Sequence, residues 1–324
     1  MKENDAKIIC EGGNDMPNLV KVSVIIPTYN RGEALCNTID SILENDYDNF
    51  EVIVVDQTQD YPEEINSYII NLVLLKKIRY YKLDIPSTSA AKNYGIKNAY
   101  GEIIVFVDDD ILADRKLIST YVKVFRENKN ISGVAGQVLL IDGIAKHKLN
   151  EKAKKMYVGL DYMHFDHNER LFVQCAQGCN CAFIKDVIIN AGMFDENYIG
   201  NAYREETDLH YRIINKFNGK ILFEPDAKVL HLRVLSGGCR MDLALNSDYY
   251  RNNFYFIFKN YPYKYFLQGI TKLFISQIYL LKRDHGSSKA LEMCVLFFKS
   301  NMAMTYGFYD YIILKINNKR CIGQ

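Results

Sequence analysis

The chain of 324 residues has no tryptophan, only 6 prolines and 19 glycines. That composition excludes collagen-like and low-complexity architectures. Almost no net charge remains after 40 basic and 39 acidic residues cancel, which argues against a dedicated nucleic-acid binder. No apolar run reaches the roughly 18 residues of a membrane span. The opening MKENDAKIICEGGND lacks the apolar core of a secretory signal. The 8 cysteines are scattered through the chain, so reduced thiols are expected rather than a disulfide framework. Cys175, Cys179 and Cys181 stand together, but their spacing matches no usual zinc pattern. They are read as small buried residues. The expected location is the cytoplasm.

What the chain does contain is an ordinary globular mix, 48% hydrophobic and 24% charged. The charge is unevenly placed. From Asn246 onward there are 11 basic against 4 acidic residues, and 18 of the 41 tyrosines and phenylalanines. An acidic body is thus joined to a basic, aromatic tail. That tail reads either as a helical cap or as an interfacial helix touching anionic lipid at the inner face of the cell membrane. Its strongest stretches are FLQGITKLFISQIYLL and ALEMCVLFFKS.

The first half alternates buried-strand and helix patterns. Apolar β-branched runs at Val22–Ile26 and Glu51–Asp56, with Lys76–Leu83 and Glu102–Asp110, predict four strands. Helical patterns separate them, over 31–45, after Pro62 and after Pro86. Such alternation implies βαβ units and a parallel sheet, with ligands bound beyond the strands' carboxyl ends. Pro27–Asn30, Asp56–Gln57 and Asp108–Asp110 would then line one crevice. Further on, Gly133–Ile141 and Phe172–Ile184 predict strands, Arg204–Phe217 a helix, and Lys220–Leu232 a hairpin-like strand pair.

Three adjacent carboxylates, Asp108 to Asp110, repel one another unless a cation neutralises them, and Mg²⁺ commonly bridges carboxylates to substrate phosphates. Strand alternation would put Asp108 and Asp110 on one side. The competing reading is a solvated acidic turn. Glu205, Glu206 and Asp208 suit the first turn of a helix by offsetting its dipole, and one of them could instead serve as a base. His231 is either a packed imidazole or a ligand. In SGGCR the glycine pair, Gly237 and Gly238, predicts a hinge and Arg240 a phosphate clamp; a plain surface loop is the alternative.

Taken in order, VSVIIPTYNR, EVIVVDQT, AAKNYGIKNAYGEIIVFVDDDI, QGCNCAFI, GMFDENY, REETDLHYR and PDAKVLH resemble glycosyltransferase family 2. The resemblance runs from about Val22 to His231. It implies a GT-A fold, a Rossmann-like α/β architecture, and inverting transfer from a nucleotide-diphosphate sugar, UDP- or dTDP-linked, in bacterial surface polysaccharide assembly. Pro27, Tyr29 and Arg31 would border the nucleotide, with Asp56 and Gln57 beside the base. Lys92 and Asn93 match the family's A-R-N segment. Asp108 and Asp110 match its D-x-D motif for Mg²⁺ or Mn²⁺, which His231 would complete. Glu206 matches the catalytic base, with Glu205 as the fallback. Gly178, Asn180 and Asp208 would lie on the side of a glycan or lipid-linked acceptor. Gln57 stands where a uracil-reading Asp is common, Lys92 where Arg is usual, and Glu206 where Asp is commoner.

The expected organisation is a lead-in over 1–20, a catalytic domain over 21–240 (donor half to about 115, acceptor half from 116) and a helical extension over 241–324. Two rivals remain: a non-catalytic binding subunit, and a sugar nucleotidyltransferase. The second normally needs a glycine-rich loop where this chain has PTYNRGEA.

Overall fold

The computed structural model describes residues 19–146, 165–238, 247–261, 271, 302, 304–309, 311 and 312. The chain divides into two compact units. The first comprises residues up to Asp195 together with Leu209–Gly238, and the second Glu196–Asp208 with Cys239–Gln324.

The first unit is built on a nine-stranded sheet in the order β3-β2-β1-β4-β8-β6-β9-β5, with β7 also on β9. The strands are β1 (Val22–Thr28), β2 (Phe50–Asp56), β3 (Arg79–Lys82), β4 (Ile103–Val107), β5 (Ile111–Ala113), β6 (Gly133–Leu140), β7 (Leu171–Val173), β8 (Asn180–Ile184) and β9 (Ile221–His231). The first four pair in parallel, as the apolar runs predict. The sheet as a whole is mixed, because β8 pairs antiparallel with both β4 and β6.

Alternation sorts the side chains into two cores. Val22, Val24, Ile26, Val52, Val54, Ile103 and Val105 face one side. There they meet α1 (Glu33–Leu43), α2 (Glu63–Leu74) and α4 (Leu117–Glu127). Ile25, Ile53, Val55, Ile104 and Phe106 face the other. They pack with α3 (Thr88–Asn98), α5 (Lys185–Asn190) and Leu209 and Ile213 of α6 (Glu205–Phe217). Burial on both faces is why these strands read as continuous apolar runs.

Four expectations need correction. The third strand starts at Arg79, because Lys76 adopts φ 54° after α2 and delays it. The fourth strand ends at Val107, and Asp108–Asp110 lead into the short β5. Phe172–Ile184 is broken into β7 and β8 by a turn, with Asn180 N–H donating to the Gln177 carbonyl at 3.1 Å. Lys220–Leu232 is not a hairpin. It is one strand that pairs in parallel with β6 on both sides of a register shift. Gly136 opposes Glu224 while Gln137 opposes Lys228, so Pro225, Asp226 and Ala227 are extruded. Proline has no N–H for the ladder, and a bulge absorbs it without reversing the chain.

In the second unit, α7 (Ser247–Asn260) buries Tyr249, Tyr250, Phe254, Tyr255 and Phe256. It holds the 196–208 segment. Asn252 exchanges two hydrogen bonds with the Ile199 backbone, Arg204 Nε donates to Asn253 Oδ1 at 2.9 Å, and Tyr198 meets Tyr255 edge-on at 5.1 Å. The stretches 266–281 and 290–300, singled out in the sequence, lie outside the described residues except Thr271. Among the described residues no helix is long and apolar enough to cross a membrane.

Candidate active site

Strand register assembles the site in the first unit. Pairing of β1 with β2 and β4 brings Tyr29 beyond one strand end and Asp108 beyond another. Pairing of β5 with β9 sets Ile111 opposite His231, so His231 lies beside the three aspartates.

The aspartates point in different directions. The Asp109 carboxylate is buried and meets Arg31 Nε at 2.8 Å. Asp110 is 1% exposed; its Oδ2 accepts the Val234 N–H at 3.1 Å and lies 3.4 Å from Arg31 Nη2. Its Oδ1 lies 3.6 Å from His231 Nε2. Asp108 is the open member, with a side chain 42% exposed and Oδ2 3.8 Å from His231 Nε2. Asp108 and Asp110 thus both approach His231, through a turn rather than strand alternation.

Burial pushes the Asp109 carboxyl up to about 6, helped by the charges of Asp108 and Asp110 and opposed by the Arg31 charge. Asp108 moves the other way. Partial desolvation works against its charged form, but the neighbouring His231 imidazole and the positive charges of Lys92 and Arg31 outweigh it and hold the carboxyl low.

Arg31, expected beside the nucleotide, is turned inward. Its Nη1 donates to the carbonyls of Val234 and Ser236 at 2.9 and 2.8 Å. The glycine pair that follows is docked backbone rather than a loose hinge. Gly238 N–H donates to the Tyr29 carbonyl at 2.7 Å. A Cβ on Gly237 would fall 1.9 Å from the Asn30 carbonyl oxygen, and one on Gly238 2.5 Å from the Arg31 guanidinium. Arg240 lies outside the described residues.

Several expected binding residues have their polar atoms engaged inside the protein. Asp56 is fully buried, accepting from Thr58 N–H at 2.7 Å and Tyr80 Oη at 2.5 Å. Gln57 Oε1 accepts the Ser87 N–H at the start of α3. Asn93 exchanges two hydrogen bonds with the Phe194 backbone, both 2.9 Å. Lys92 is buried, its Nζ 5.0 Å from the centre of the Phe194 ring. Pro27 is a buried strand residue opposite Val55. Asn180, expected on the acceptor side, is fully buried instead. Its amide donates to the carbonyls of Gln137 and Ala227, both at 2.9 Å, and accepts from Tyr121 Oη at 2.6 Å. It therefore stitches the β6–β9 register break. Gly178 is buried in the turn before β8.

Glu205, Glu206 and Asp208 belong to the second unit. Glu205 is 4% exposed and Glu206 half-buried. Asp208 is fully buried, with Lys259 Nζ 2.8 Å from Oδ2 and Asn260 Nδ2 2.7 Å from Oδ1. Just ahead of this helix Ala202 and Arg204 adopt φ 51° and 80°, conformations that cost energy for any residue with a Cβ.

The donor set suits a divalent cation. Asp108 offers an open carboxylate oxygen, Asp110 Oδ1 faces the same imidazole, and one donor atom each from Asp108, His231 and Cys179 lie within 4.8 Å of one another. Cys179 was not expected here, since its spacing from Cys175 and Cys181 carries no metal signature. His231 Nδ1 accepts the Arg233 N–H at 3.1 Å, so a neutral imidazole carries its proton on Nε2, toward the aspartates. Ligation through Nε2 requires that proton to move to Nδ1.

Residues 23–190 match the family described as Glycosyl transferase family 2. The chain belongs to that family. An uncharacterised glycosyltransferase of Rickettsia felis is 31% identical over 206 residues, 62% of this chain but 32% of that relative. The chain thus spans about a third of the length of the first curated relatives it matches. Among solved structures, S. aureus TarS in complex with UDP-GlcNAc superposes with a TM-score of 0.60 at 16% identity, covering 90% of this chain and 80% of that one. A mannosyltransferase from Pyrobaculum calidifontis, in complex with GDP-Man and Mn²⁺, gives 0.55 at 16% identity, covering 94% and 89%. At such identities the likeness is one of fold. The chain has the GT-A fold, as the ordered motifs imply.

Proposed function

We propose that the protein is a metal-dependent, inverting glycosyltransferase. It would move a sugar from a nucleotide-diphosphate donor to a hydroxyl of a glycan or lipid-linked acceptor, in bacterial polysaccharide assembly. The observation that carries this is the convergence of Asp108 and Asp110 on His231 beyond β4 in a chain of this family. Two structural neighbours were solved with nucleotide sugars, one also with Mn²⁺.

Asp108, Asp110 and His231 would hold Mg²⁺ or Mn²⁺. When bound, such an ion offsets the charge growing on a departing diphosphate, an effect worth several kcal/mol. Tyr29 borders the donor beside this site. Arg31 acts from behind, fixing Asp109 and the 234–238 backbone so that Asp108 and Asp110 keep their directions. Asp56, Gln57, Lys92 and Asn93 shape the donor pocket through the backbone and charge they fix. Glu206 accepts the proton of the acceptor hydroxyl, whose oxygen bonds to the anomeric carbon. The bond from that carbon to the diphosphate breaks on the opposite face, and its electron pair leaves with the nucleotide diphosphate. Gly178 and Asp208 support the acceptor side.

Residues 21–240 would form the catalytic part and 241–324 an appended extension. That extension would contact an anionic membrane from the cytoplasmic side. Its excess of bases and the exposed Met302, Tyr306, Phe308 and Tyr309 support the reading.

The test is a thermal-shift panel of nucleotide sugars with and without Mn²⁺, followed by assay of nucleotide diphosphate release. One donor class should stabilise the protein only with Mn²⁺, and Asp110→Asn should lose that stabilisation while remaining folded. Equal shifts with and without Mn²⁺ across the panel would sink the metal-dependent reading. Co-sedimentation with anionic vesicles tests the membrane contact.

A further inference from the structure

We propose that Cys179 supplies a sulfur ligand to the cation held by Asp108, so that this site prefers a borderline metal such as Mn²⁺, Co²⁺ or Zn²⁺ over Mg²⁺. The inference rests on the cation reading above and adds a donor of a different chemical class.

Register places the thiol there. Val107 of β4 pairs antiparallel with Asn180 of β8, so one step outward Asp108 stands opposite Cys179. The backbone at Cys179 is pinned. Its neighbour Asn180 is held by three side-chain hydrogen bonds, and the turn before it is closed by Asn180 N–H on the Gln177 carbonyl. Cys179 is 6% exposed and in no disulfide. Its thiol lies 3.7 Å from Gln177 Oε1, the acceptor of its S–H. The sulfur, a carboxylate oxygen of Asp108 and a nitrogen of His231 lie within 4.8 Å of one another. Ligands on one tetrahedral ion sit roughly 3.3–3.8 Å apart, given metal–ligand bonds of about 2.0–2.3 Å, so small side-chain rotations close the set. Cys181, by contrast, packs in the core with Phe106 and Phe183.

The chemistry follows from ligand softness. Mg²⁺ demands hard oxygen donors in a near-ideal octahedron, whereas thiolate and imidazole favour softer ions. On coordination the Cys179 S–H bond breaks, its proton passes to solvent, and the sulfur electron pair forms the bond to the metal. At His231 the proton moves from Nε2 to Nδ1, and the bond from Arg233 N–H is given up. No electron transfer is involved.

The experiment is a Co²⁺ titration of the full-length protein, read by absorption. Wild type should show a near-ultraviolet sulfur-to-Co²⁺ charge-transfer band beside the visible ligand-field bands. Cys179→Ser should lose that band and bind Co²⁺ about tenfold more weakly or worse, while Cys181→Ser keeps the band. Should Cys179→Ser not fold, alkylation of wild type by iodoacetamide decides instead, and bound Co²⁺ should protect Cys179. Visible bands without a sulfur band, a band that survives Cys179→Ser, or no protection of the thiol overturn this inference and leave the cation reading standing. No Co²⁺ binding overturns both.

Discussion

Arg31 and Asp109 form a buried ion pair, Nε to Oδ1 at 2.8 Å, with both side chains less than a tenth exposed. The same guanidinium holds the carbonyls of Val234 and Ser236. One side chain thus ties the end of β1, the aspartate turn and the loop after β9. An arginine that would be read as a ligand contact is, by its bonding, the brace behind the site.

Removing that brace should be costly. Breaking a buried pair by deleting one partner typically costs about 3–5 kcal/mol, because the other charge stays buried. Arg31→Ala should lose about that much in urea unfolding, and Arg31→Lys an intermediate amount, since lysine lacks the planar fork. A loss under about 0.5 kcal/mol, ordinary for a surface site, would show that the pair does not hold the turn.

The Asp109 carboxyl gives a pH dependence of definite sign. Its folded value of about 6 lies above the ordinary 3.8, so between those values the folded state binds more protons than the unfolded chain. Stability from this group is therefore fully present below about pH 4 and is lost as pH rises through 6, by up to roughly 3 kcal/mol. Other carboxylates can slope the opposite way, so the difference between wild type and Asp109→Asn isolates it. Measured in EDTA, that difference should shift in the variant's favour between pH 4.5 and 7. A difference independent of pH would mean that Asp109 titrates normally.

Two glycines separate backbone strain from close approach. Gly237 and Gly143 have similar φ, 73° and 67°. A Cβ on Gly143 meets nothing nearer than Leu230 at 3.8 Å, whereas one on Gly237 strikes the Asn30 carbonyl oxygen at 1.9 Å. Both alanine variants carry the left-handed cost of about 1–2 kcal/mol. Gly237→Ala should melt lower than Gly143→Ala and weaken donor binding, since the loop that receives Arg31 must move. Equal melting temperatures would mean that the loop docks loosely.

How much of this was legible in the sequence depended on where each side chain's partner lies. Val22–Ile26 and Glu51–Asp56 announced buried strands because both faces are covered and the runs are largely apolar and β-branched. The aspartate run announced a site because three like charges need a reason. The antiparallel β8 was hidden, since a buried run carries no mark of direction. The bulge at Pro225 resembled a turn, because proline interrupts a ladder in either case. Asn180, Asn93 and Asp56 sit within family-like motifs, yet the hydrogen bonds that hold them run to partners 24 to 101 residues away and, for Asp56, also to Thr58 close by. The spacing of Cys179 from its neighbouring cysteines carries no metal signature, whereas Asp108 and His231 beside it come from the turn after β4 and from the end of β9.

The two glutamates opening α6 offer the sharpest kinetic test. Glu205 is buried at 4% exposed, while Glu206 is half-buried and so the more accessible to an incoming hydroxyl. A base must reach the proton it abstracts. Both residues follow a segment that α7 holds through Asn252 and Asn253, so the turn they start is anchored. Glu206→Gln keeps the shape but removes the proton acceptor, and should lower kcat by about 10²–10⁴ with donor affinity nearly unchanged. Glu205→Gln should act on thermal stability more than on kcat, because its carboxylate is buried. If Glu205→Gln carries the loss of turnover while Glu206→Gln leaves it intact, the base is one residue earlier, and the chain's accessible glutamate serves the acceptor in some other way.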